Sequence, residues 1–111
     1  MKYFVFDSDR DGTCYHEFYK GKWDEKTFWK SDSLCIYDDI LYDNIGFVEA
    51  IREVVPNYDP YGVTEISAKQ WKEIGSFIIN KDISSIALYQ EADRWLKKVF
   101  QEYDCFTILG I

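Results

Sequence analysis

Ser67-Ala68-Lys69-Gln70 is a capping box, placing the Ser hydroxyl to accept the main-chain N–H three residues on and so fixing where a helix begins. Trp71, Ile74 and Ile78 then fall on one apolar face of a helix that ends near Asn80, with Gly75 inside it to permit close packing. The β-rich run Val63 to Ile66 leads directly into the cap, so a strand feeds a helix at this point. After Lys81-Asp82 a second helix is predicted from about Ser85 to Tyr103. Its stripe is Leu88, Ala92, Trp95, Leu96, Val99 and Tyr103, and Arg94, Lys97 and Lys98 lie toward solvent. Phe106 to Leu109 reads as a final strand.

The first half is punctuated by turn residues. Tyr3 to Phe6 is a β-rich run that stops at Asp7-Ser8-Asp9-Arg10-Asp11-Gly12, and Thr13 to Tyr19 resumes the pattern, which predicts an N-terminal hairpin. Trp23 to Trp29 reads as strand or loop, and Leu34 to Tyr37 as a short strand. From Asp43 the spacing becomes helical through Phe47, Val48, Ile51, Val54 and Val55, and Pro56 ends it. The order predicts an α+β fold, a mainly antiparallel sheet packed with about three helices, in one domain over residues 1–111.

The chain is long enough to bury one core, and its 19% aromatic content supplies the material. Phe4, Phe6, Phe47, Phe100, Trp71 and Trp95 are the candidate core aromatics. Cys14, Cys35 and Cys105 are odd in number and lack C-x-x-C spacing, which points to reduced thiols and a cytoplasmic setting. Charge arrives too early after Met1 for a signal peptide, and no apolar run reaches the length of a membrane span.

Charge is distributed unevenly. Between Ile36 and Ile66 seven acids face a single base, Arg52, leaving −6 of the formal −7, whereas the flanks nearly cancel. Tyr37, Tyr42, Tyr58 and Tyr61 are interleaved with Asp38, Asp39, Asp43 and Asp59. An acidic, Tyr-rich surface repels nucleic acid and anionic lipid but suits a basic protein, with tyrosines as rigid contacts. These eight residues are the expected partner-binding set. Glu49 and Glu53 read as a solvent face.

Catalytic patterns are thin. Asp7-Ser8-Asp9-Arg10-Asp11-Gly12 opens like an EF-hand loop, yet position twelve is Phe18 rather than a bidentate Glu. A calcium site or small metal-dependent enzyme using Asp7, Asp9 and Asp11 is the alternative to the plain turn. Asp9-Arg10-Asp11-Gly12-Thr13 resembles the nucleophile motif of haloacid dehalogenase-type phosphatases, a family that also implies a doubly wound core. His16, the single histidine, reads as a partly exposed strand residue, with Cys14 two positions away as a conceivable nucleophile partner. Trp23 and Trp29 among lysines suggest single-stranded nucleic acid, but the local bases are offset by Asp24, Glu25 and Asp32. The reading is a binding protein without a cofactor, not an enzyme.

Gly62-Val63-Thr64-Glu65-Ile66-Ser67-Ala68-Lys69-Gln70-Trp71 is similar to a strand, capped-helix and Trp junction in bacterial immunity proteins against polymorphic toxins, including those of contact-dependent growth inhibition. The resemblance implies that the partner is a cognate toxin, with a basic nuclease domain the expectation, neutralised by an acidic inhibitor. A phage-type inhibitor of a host protein would share the same acidic surface.

Overall fold

The computed structural model describes residues 1–111. Five strands form one antiparallel sheet: β1 (Phe4–Val5), β2 (Tyr15–Lys20), β3 (Leu34–Tyr37), β4 (Val63–Ser67) and β5 (Cys105–Leu109), in the order β1-β3-β2-β5-β4. Four helices accompany it, one more than the sequence implied: α1 (Asp38–Asp43), α2 (Ile45–Val54), α3 (Ala68–Lys81) and α4 (Ile86–Glu102). The fold is α+β. All strand pairs are antiparallel, so the doubly wound core needed by a haloacid dehalogenase-type phosphatase is not present.

The capping box forms as its residues dictate. Ser67 Oγ accepts from Gln70 N at 3.1 Å, and Gln70 Oε1 accepts from Ser67 N at 2.9 Å. Behind it, Trp71 stacks on Tyr89 at 4.4 Å between ring centroids, and Tyr89 Oη donates to Trp71 O. Gly75 permits that approach: a Cβ there would stand 2.5 Å from Tyr89 Cζ and Oη. One sheet face carries Phe4, Phe18, Leu34, Ile36, Ile66, Phe106 and Ile108 into the core, where Phe47, Ile51, Trp71, Ile74, Ile78, Leu88 and Leu96 meet them from α2, α3 and α4.

The N-terminal hairpin does not form. β1 pairs with β3 and β2 lies inside the sheet between β3 and β5, because Asp7–Asp9 makes a 3₁₀ turn and the N-terminus is held from elsewhere. Glu91 of α4, 6% exposed, accepts the main-chain N–H groups of Lys2, Tyr3 and Phe4 at 2.7–2.9 Å and tethers β1 to the sheet edge. Glu17 does the equivalent on the face away from the helices. Its buried carboxylate accepts from Trp29 N and Lys30 N, holding the irregular 21–33 segment over the sheet. Trp29 is left-handed there (φ 59°), under the Arg10 guanidinium at 3.8 Å, while Arg10 pairs with Asp7 at 2.9 Å. Trp23 to Trp29 is therefore loop. Phe6 and Tyr103, expected in the core and on the α4 stripe, are exposed, and Trp95 is half-buried.

Candidate functional site

α1 is the element the sequence did not disclose, and it carries half of the expected contact set, with Tyr37 as its N-cap. Asp38 begins it: its N–H donates to Cys14 O at 2.9 Å and its Oδ1 lies 2.7 Å from His16 Nε2. His16 is 1% exposed, on the helix-facing side of β2, so the expectation of a partly exposed histidine is corrected. Asp38 keeps this imidazole from being wholly orphaned, since Nδ1 finds no partner. Cys14 is exposed and not hydrogen-bonded to His16, so no thiol–imidazole pair is assembled.

Around Asp38 the aromatic and acidic residues converge. Tyr37 packs edge-on against Tyr15 at 5.3 Å, and Tyr15 Oη accepts the Asp11 N–H at 3.0 Å. Tyr42 lies edge-on to His16, 6.4 Å between centroids. The loop after α2 supplies the rest. Asp59 Oδ1 accepts from Tyr61 N at 2.9 Å, Gly62 N closes the turn onto Asp59 O, and Tyr61 projects 78% exposed. The field of Asp39 raises the Tyr37 phenol above its ordinary pKa; partial burial, then Asp38 and Tyr61, raise that of Tyr42. The Tyr37 and Tyr42 phenols therefore stay neutral donors at physiological pH.

Tyr58 sits differently. It is 7% exposed, with Oη buried and unpartnered, so it underlies the surface as a packing residue and is not available as a contact. Burial raises its pKa strongly, with Tyr42 the next cause. The exposed set is thus Tyr37, Asp39, Tyr42, Asp43, Asp59 and Tyr61, with Asp38 half-exposed among them.

Three acids of this set lack an ion-pair partner, although the field of Arg52 reaches the neighbouring Tyr42 and Tyr58. Asp39, Asp43 and Asp59 have no basic group within 4 Å, and Asp43 stands in the last turn of α1, where the helix dipole disfavours negative charge. Asp39 and Asp43 are also four residues apart on the same helix, a repulsive spacing for like charges. Asp38 and Asp39, in the first turn, are favoured by the same dipole, so it is Asp43 that local helix stability does not select.

No family model, curated protein or solved structure matches the chain. The site is therefore read from its own residues. Asp7, Asp9 and Asp11 do not converge on a point, and no cluster of three or more His, Cys, Asp or Glu is placed to hold a metal ion. Asp7 is instead committed to Arg10. No helix is long and apolar enough to cross a membrane. Sequence reasoning missed Tyr15 and His16 as supports of the surface, because the contacts of Tyr15 with Tyr37 and of His16 with Asp38 follow from the register between β2 and β3.

Proposed function

We propose that this protein binds and neutralises a basic protein toxin, in the manner of a bacterial immunity protein, through the surface formed by Tyr37, Asp38, Asp39, Tyr42, Asp43, Asp59 and Tyr61. The observation that carries the reading is the unpaired, exposed state of Asp39, Asp43 and Asp59 beside exposed tyrosines. A nuclease domain that grips phosphate with Lys and Arg is the partner this chemistry fits best, since the carboxylates occupy the place of phosphates. Tyr61 and Tyr42 act as anchors, supplying contact area at little entropic cost. Asp38 is a positioning residue: it fixes the start of α1 against His16 and so presents Asp39 and Tyr42.

The test is capture followed by inhibition. The tagged protein is used to recover its partner from its own source, and the recovered protein is assayed for nuclease activity with increasing inhibitor. Stoichiometric loss of activity, relieved by Tyr61→Ala together with Asp39→Lys, supports the reading. A captured partner that is acidic, or one whose activity is untouched at saturating inhibitor, overturns it.

A further inference from the structure

β4 ends the sheet, and its outer side is open. Its ladder with β5 runs through Gly62–Gly110, Thr64–Ile108, Ile66–Phe106 and Ala68–Asp104, as the bonds Gly110 N to Gly62 O and Ala68 N to Asp104 O show. The alternate residues therefore point their main-chain groups away from β5. Ser67 confirms the phase, since its outward N–H is taken by Gln70. The N–H and C=O of Val63 and Glu65 have no such partner in the chain. An edge of this kind is a template for another strand unless something blunts it. Here neither proline, bulge nor covering helix does so; the one device is the charge of Glu65.

That charge selects the occupant. Two copies pairing antiparallel about Glu65 would set Glu65 opposite Glu65, a repulsive cross-strand pair in a chain of net charge −7. A segment with a basic residue at that place is attracted instead. The side chain opposite Glu65 would share its sheet face, away from the helices. There Lys22, Trp23, Glu25, Val63 and Glu65 line a groove of about 200 Å3. Two carboxylates outweigh one ammonium in it, which favours a cationic side chain there. From the open edge and this groove we infer that β4 accepts an extended segment of a partner protein by strand addition, with a lysine or arginine of that segment opposite Glu65. The open edge belongs to β4 rather than α1, with Tyr61 of the proposed toxin surface just before it in the chain, and the inference does not depend on the toxin reading.

The experiment selects a phage-displayed library of random dodecapeptides on the folded full-length protein, then measures the enriched peptides against two variants. Glu65→Pro removes an outward donor and leaves the β5 ladder whole. Glu65→Lys keeps every main-chain group and reverses the charge. The expected peptides carry a basic residue among alternating β-branched ones and slow the amide exchange of Val63 and Glu65. Affinity falls roughly tenfold on Glu65→Pro and roughly fivefold to tenfold on Glu65→Lys. Asp39→Lys with Asp43→Lys leaves it unchanged. Failure to enrich any peptide, enriched peptides that bind Glu65→Pro as well as the parent, or a parent protein that self-associates through β4 would each overturn the inference.

Discussion

Replacing Glu91 with glutamine isolates the tether that gives the sheet its edge strand. The carboxylate Oε2 accepts from Tyr3 N and Phe4 N at 2.9 and 2.7 Å, and Oε1 accepts from Lys2 N at 2.7 Å. An amide keeps one acceptor oxygen and turns an N–H group toward a main-chain donor. If its oxygen stays with Tyr3 and Phe4, the bond to Lys2 is lost and the other two fall from charged to neutral strength. Net hydrogen bonds to charged groups are worth about 1.5–3 kcal/mol and neutral ones about half that, so the three changes total roughly 4 kcal/mol. Release of the exposed Lys2 into water and the relief of burying a charge without a cation reduce this to about 3 kcal/mol. That corresponds to a melting temperature lower by roughly 10–15 °C in a domain of this size. Urea denaturation gives the free energy, and amide exchange at Phe4 and Val5 should rise more than at Phe106. An unchanged urea midpoint would refute the reasoning, because it would mean that the cost of burying the carboxylate cancels its bonds.

Alkaline stability follows from buried acids that stay protonated in the folded chain. Burial holds the Tyr58 and Tyr89 phenols well above their ordinary pKa, and pushes the Cys35 thiol up to about 12 with help from Glu17. The unfolded chain ionises first and so binds fewer protons. Stability is therefore full below the unfolded values and declines from near pH 9 for Cys35, steepening near 10, by about 1.4 kcal/mol per pH unit per group. Tyr58→Phe removes one group and an unpartnered hydroxyl; it should be neutral or up to about 1 kcal/mol stabilising at pH 7, with a shallower alkaline decline in chemical denaturation. Gly75→Ala should destabilise by about 1–3 kcal/mol in spite of better helix propensity, since the new methyl displaces Tyr89 from Trp71, visible as a changed near-ultraviolet circular dichroism band.

How far the sequence disclosed this molecule depended on whether the deciding interaction was local. Ser67 and Gln70 are three residues apart and act on each other, so strand β4, cap and helix α3 were legible from composition and spacing. The stripe of α4 was legible as far as Leu96 and Val99; Tyr103 is the C-cap residue, where the periodic argument no longer applies. α1 was hidden because its six residues make fewer than two helical turns, too short for an apolar period to show across Ile40 and Leu41. The partner of β1 was beyond reach because Glu91, distant in the chain, fixes it. Glu17 carries no local sign of burial in the sequence, yet it is buried and bound to main chain across the 21–33 segment. Within the contact set, Tyr58 and Tyr61 lie on one irregular turn, where no period distinguishes the inward ring from the outward one.

The measurement that tests the central claim most directly is the association rate of the protein with its recovered basic partner, at low and high salt, for the parent chain and for Asp39→Lys with Asp43→Lys. Both side chains are exposed and unpaired, so the reversal leaves the core intact. Steered association exceeds the neutral rate of about 10⁵–10⁶ M⁻¹s⁻¹ by orders of magnitude at low salt. The account predicts that the double variant associates at least roughly tenfold more slowly at low salt and that the two rates converge as salt screens the charges. Equal rates at low salt, with both proteins folded, would contradict it.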